Sequence, residues 1–131
     1  MQTPVIESSV LTIAGSDSCG GPCIQADMNT FAAFGVYGAS VITAVTARNT
    51  QGVQAIEPVA DAMIVAQIES VLDDLPIRAI KTGMLPSVAA IAILGEFLAD
   101  REDKIPMVVD PVVIEPEDRN VSGEAALEAI Q

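Results

Sequence analysis

The chain contains no histidine and no tryptophan, and only two cysteines, Cys19 and Cys23. A structural zinc site wants four nitrogen or sulfur ligands, and this chain cannot supply them. Four residues apart across a loop–helix junction, the two cysteines are also poorly placed for a structural disulfide. They read either as thiols of lowered pKa at a helix N-terminus or as small loop fillers, and filler is the better fit. Aromatic residues are 3% of the total, so the core has to come from Ala, Val, Ile, Leu and Met. That suits parallel strands and close helix packing. Basic residues are scarce too: six against eighteen acids, for a formal net charge of −12. Nucleic acid is excluded as a partner, because phosphate backbones need clustered Lys and Arg. A polyphosphate ligand remains open to a chain that uses backbone amides and a divalent metal. No signal-peptide pattern and no apolar run of bilayer length is present, so the expectation is a cytoplasmic chain with no membrane partner.

What is present is a hydrophobic fraction of 50% in 131 residues, enough for one domain with a real core. Apolar runs alternate in kind along it. Residues 10–14 read as a buried strand, 22–34 as a helix stopped by Gly35, and 39–45, rich in β-branched residues, as a second strand. Residues 46–52 read as a polar loop, and 53–59 as a short strand or extended segment. A helix capped by Asp61 runs to about Leu72, followed by a strand over 77–82 and a helix from Ser87 to about Ala99. Residues 107–109 form a last strand before Pro111. Residues 115–122 read as an acidic loop, and a short helix starts near Gly123. Strands alternating with helices predict an α/β fold, a parallel sheet with helices on both faces.

The richest stretch is Gly15-Ser16-Asp17-Ser18-Cys19-Gly20-Gly21-Pro22-Cys23-Ile24-Gln25-Ala26-Asp27. A glycine-rich turn between strand and helix lets backbone approach a ligand and aims helix N–H groups at it. Its spacing is neither a Walker loop nor a dinucleotide fingerprint. Gly21 and Pro22 suit the N-cap and first helical positions. Asp17 reads as an Asx-turn residue or a ligand contact. Asp27 shares a helix face with Ile24, Met28 and Phe31, so it must be paired, either to nearby amides or to a ligand. In open α/β sheets ligands sit beyond the carboxyl ends of the strands. That rim gathers Gly15–Asp17, Thr46–Asn49, Lys81–Met84 and Asp110-Pro111.

Four segments together carry a resemblance: Leu11–Ser18, Gly20-Gly21 through Asp27, Gly35–Gly38 through Ala47, and Lys81-Thr82-Gly83-Met84-Leu85. They resemble the hydroxymethylpyrimidine/phosphomethylpyrimidine kinases of thiamine biosynthesis, within the ribokinase-like superfamily. The resemblance implies an ATP- and Mg2+-dependent kinase acting on a small pyrimidine and then on its monophosphate. It further implies that Gly15, Asp27 and Thr46 line the pyrimidine pocket, that Met84 closes it, and that Arg48 meets the ring's polar edge. Asp17 belongs to the same loop, and Asp110 opens the Asp-Pro-Val segment near where the two substrates meet, on the phosphate or metal side.

Three departures from the family pattern stand out. Arg48 replaces a usual glutamine, and a guanidinium donates but cannot accept. Pro22-Cys23 replaces Ala-Gly, which narrows backbone freedom. Family members also run to about twice this length, and their second half carries the ATP site and the catalytic base. Residues 1–131 are therefore expected to be a single, truncated ribokinase-like domain that is inactive alone. It is expected to self-associate or to need a complementing carboxyl-terminal half. Two other readings follow: a non-catalytic pyrimidine or vitamin binder, and a pyridoxal-type vitamin kinase homologue.

Overall fold

The computed structural model describes residues 8–99 and 104–112. The expected acidic loop at 115–122 and the helix near Gly123 lie outside the described residues. In chain order the elements are β1 (Ser9–Asp17), α1 (Ile24–Ala33), β2 (Tyr37–Asn49), β3 (Gly52–Pro58), α2 (Asp61–Asp74), β4 (Ile77–Thr82), α3 (Val88–Ala99) and β5 (Met107–Val109). They form a five-stranded sheet in the order β3-β2-β1-β4-β5.

Period-two alternation in β1 and β2 sorts the layers. Leu11, Ile13, Ala39 and Val41 point to one face, where they pack with Ile64 and Ile68 of α2 and Ala90 and Leu94 of α3. Burying a side chain as completely as Ile64 or Ile68, each 1% exposed, is worth about 1.5–3 kcal/mol. Thr12 points the other way, toward Asp27 of α1. Gly38 faces α1 as well, and a Cβ there would stand 2.7 Å from a ring carbon of Phe31. Helices therefore cover both faces, as the sequence predicts.

The sheet is not wholly parallel. β1 pairs in parallel with β2 and β4, and β4 with β5, but β3 runs antiparallel to β2. The span read as a polar loop at 46–52 instead continues β2 to Asn49 and turns through Thr50 and Gln51 into β3. A turn this short can join only antiparallel strands. Gly52, at φ +137°, takes a conformation open to glycine. Its polar sequence follows from position: Arg48 and Asn49 stand on the exposed end of an edge hairpin.

Between the start of β2 and its first pairing with β3, one side of the strand is open. The Gln67 carboxamide of α2 fills that gap. It accepts from the Ile42 N–H at 2.9 Å and donates to the Ile42 carbonyl at 3.0 Å, as a neighbouring strand would.

Helix ends differ in detail from expectation. α1 begins at Ile24 with Cys23 as its N-cap, so Gly21 and Pro22 belong to the preceding loop. Asp61 is the first residue of α2 rather than its cap, and Ala60 holds the cap position. Ser87 does cap α3, accepting the Ala90 N–H at 3.1 Å. Among the described residues no helix is long and apolar enough to cross a membrane.

Candidate active site

The four predicted rim segments do converge. β1 extends to Asp17, so Gly15 and Asp17 lie on the strand rather than in a loop, past an irregularity in pairing between Ala14 and Ser16. Asp17 pairs with Thr46 of β2, and the Thr46 hydroxyl donates to the Ser16 carbonyl at 2.9 Å. Gln25 of α1 ties the same turn down. It accepts from the Asp17 N–H and donates to the Ser16 hydroxyl, both at 2.8 Å.

Asp17 itself folds the loop. Its Oδ1 accepts the Cys19 N–H at 2.9 Å while its carbonyl accepts the Gly20 N–H at 3.1 Å, an Asx turn. Its carboxylate is buried, with Oδ2 turned under the backbone at Gly21. Arg48 is held by its backbone: Ser18 Oγ accepts the Arg48 N–H and donates to its carbonyl, both at 2.8 Å. The guanidinium stands exposed on the hairpin.

Gly15 and Met84 form the floor. A Cβ on Gly15 would overlap the Met84 methyl group, and only glycine lets that side chain lie across the strand. Met84 packs with Ala44, Ile56 and Val112, and its carbonyl accepts the Thr43 hydroxyl at 2.7 Å. The Gly83 N–H donates to the Ile13 carbonyl at 2.9 Å, which docks the end of β4 onto β1.

The charged group of the site centres on Asp27. Sequence reasoning left open whether this acid ties down amides or a ligand. Its structural partners are two side chains instead. Thr12 donates to Asp27 Oδ2 at 2.6 Å, and Lys81 Nζ approaches the same oxygen at 3.0 Å. Thr12 and Lys81 are register partners across β1 and β4, so both reach the same face. Lys81 Nζ also lies 3.7 Å from Asp110 Oδ2, beside the segment that follows β5. An ion pair thus links α1, β4 and the end of β5. Thr12, Gln25 and Lys81 fell within the segments marked from sequence but were given no role of their own. The available signal was a hydroxyl and an ammonium interrupting otherwise apolar interior strands.

Cys23 stands at the junction of these parts. It has φ 71° and ψ −152°, a backbone region that is essentially reserved for glycine. Burial pushes its thiol up from the ordinary 9.0, reinforced by the negative charge of Asp17 and then opposed by Lys81. That direction runs against a thiol of lowered pKa at this helix N-terminus.

Among the described residues no group of three or more acidic, cysteine or histidine side chains is placed to hold a metal ion. A cavity of about 460 Å³ lies at the opposite end of the sheet, lined by Ile77, Arg78, Lys104 and Ile105 among others. It shares no residue with the rim.

Comparisons with known proteins agree with one another. The family profile described as phosphomethylpyrimidine kinase matches residues 17–131. A hydroxymethylpyrimidine/phosphomethylpyrimidine kinase of Streptomyces coelicolor is 44% identical over 128 residues, covering 98% of this chain and 47% of the relative. The crystal structure of phosphomethylpyrimidine kinase from Clostridium difficile superposes with a TM-score of 0.84 at 47% identity, covering 93% of this chain and 54% of that one. Pyridoxal kinase of Staphylococcus aureus, in complex with AMP-PCP and pyridoxal, superposes at 0.76 with 32% identity, covering 97% of this chain and 44% of that one. The chain spans about half the length of the relatives it matches.

Proposed function

Since the chain belongs to the phosphomethylpyrimidine kinase family, we propose that it forms the pyrimidine-binding part of a ribokinase-like kinase of thiamine biosynthesis. The observation that carries this reading is the Asp27–Lys81–Asp110 ion-pair chain beside the Gly15–Met84 floor, at the carboxyl ends of the strands. In this reading the ring lies over Gly15 with Met84 beneath it. Thr46 and Asp17 fix the loop that surrounds it, and Asp27 offers its second oxygen to ring donors. Arg48 supplies donors, not acceptors, at the ring edge.

ATP is the phosphoryl donor in this reading. Catalysis of phosphoryl transfer is largely positioning and charge stabilisation around the transferred group. Asp110, with 54% of its side chain exposed, is the carboxylate that would meet a magnesium ion carried on the nucleotide. Magnesium commonly takes one or two carboxylates together with phosphate oxygens, so one acid suffices there. The described residues hold substrate, and nucleotide binding and the catalytic base belong to the other part of the fold. The β5 edge, where Met107, Val108 and Val109 are exposed, is where that part, or a second copy, would pair.

The test is ligand-observed NMR of the chain with hydroxymethylpyrimidine, alongside the Asp27→Asn variant. Saturation transfer that is lost in the variant supports the reading. Transfer that is undiminished in Asp27→Asn overturns the assigned site.

A further inference from the structure

Among the described residues, Lys81 has more donors than its partners use. An ammonium carries three N–H groups. One is directed at Asp27 Oδ2 at 3.0 Å, and Asp110 Oδ2, at 3.7 Å, is a charge neighbour beyond hydrogen-bond length. The side chain is 22% exposed, so the ammonium keeps access to the rim. Gly83 lets the ammonium lie close to the backbone, because a Cβ there would stand 3.2 Å from Lys81 Nζ and 2.9 Å from the Ala14 methyl. The ammonium therefore sits, partly exposed, between the acid of the substrate side and the acid that follows β5, with donors to spare.

We infer that Lys81 is a ligand-binding residue, one of whose two remaining N–H groups holds the hydroxyl oxygen of the pyrimidine's hydroxymethyl group, the atom to be phosphorylated, next to Asp110. The inference rests on the pyrimidine reading above and adds to it the placement of the reacting oxygen. A plain structural ion pair would hold Asp27 in place but be indifferent to whether the ligand carries that hydroxyl.

Calorimetric titration of the full chain with hydroxymethylpyrimidine and with its analogue bearing methyl in place of hydroxymethyl separates the two roles. The wild-type chain should prefer the hydroxyl-bearing ligand by about tenfold, as befits a hydrogen bond to a charged group. Lys81→Met should bind both ligands alike, and Lys81→Arg should keep only part of the preference. Circular dichroism establishes that each variant is folded, and Lys81→Arg carries the comparison should Lys81→Met not fold. Equal wild-type affinity for the two ligands overturns the inference and leaves the pyrimidine reading standing. So does a preference that survives substitution of Lys81. If the wild-type chain binds neither pyrimidine, the reading beneath it fails and the inference fails with it.

Discussion

Met84 lies across Gly15 so closely that a Cβ on the glycine would occupy the space of the Met84 methyl group. Met84 is only 3% exposed and has Ala44, Ile56 and Val112 around it, so its methyl has little room to retreat. Gly15→Ala should therefore destabilise the fold by about 1–3 kcal/mol, the usual cost of overpacking. Adding Met84→Ala should recover part of that loss in chemical denaturation. Additive losses from the two substitutions would show that the contact is not the cause.

Cys23 occupies a glycine conformation without being glycine. Residues held there cost about 1–3 kcal/mol, so Cys23→Gly should raise stability by an amount at the lower end of that range, offset by chain entropy. Cys23→Ala, which keeps the Cβ, should gain nothing. A thermal melt of the two variants decides the matter.

The same thiol gives a pH signature. Its folded pKa lies above the ordinary 9.0, because burial and Asp17 favour the neutral form. The folded state then holds its proton where the unfolded chain has lost it. This contribution to stability is fully present below pH 9.0 and declines as pH rises through the folded value. At pH 8, alkylation should mark exposed Cys19 ahead of Cys23, as peptide mapping by mass spectrometry would show.

Gln67 closes the open side of β2 through both polar groups of Ile42. Gln67→Leu leaves that N–H and carbonyl without partners, a loss of about 1–3 kcal/mol in urea denaturation. Gln67→Glu should also destabilise, because a carboxylate cannot donate to the Ile42 carbonyl. A wild-type melt for both variants would remove this clasp from the account.

Thr12→Val keeps the shape of a fully buried side chain and deletes the 2.6 Å donor to Asp27. Hydrogen bonds to charged groups contribute about 1.5–3 kcal/mol, so the variant should lose stability on that scale. It should also weaken pyrimidine binding, since Asp27 is then held by Lys81 alone. Unchanged affinity with reduced stability would assign Thr12 to folding only.

Most of the framework was legible in the sequence because its signals are local. The apolar runs of β1, β4 and β5 and the stripe Ile64, Ile68 of α2 announce their elements by periodicity, and Ser87 announces the start of α3. The β2–β3 hairpin was hidden because it projects at the sheet edge, where exposed residues such as Arg48 and Asn49 serve a strand as well as a loop. The start of α1 was misplaced because Gly21 and Pro22 satisfy the general preferences, whereas the cap fell to a cysteine in a strained conformation. In the site, the four rim segments followed from topology. What could not be read was the pairing, since Thr12, Asp27 and Lys81 meet only through the register of β1 on β4.

Calorimetric titration of the chain with hydroxymethylpyrimidine, with pyridoxal as comparator, decides whether the rim carries the proposed pyrimidine site. Saturable binding of the pyrimidine, exceeding binding of pyridoxal, is the result expected of such a site. A folded chain that binds neither, or that binds pyridoxal more tightly, would contradict it.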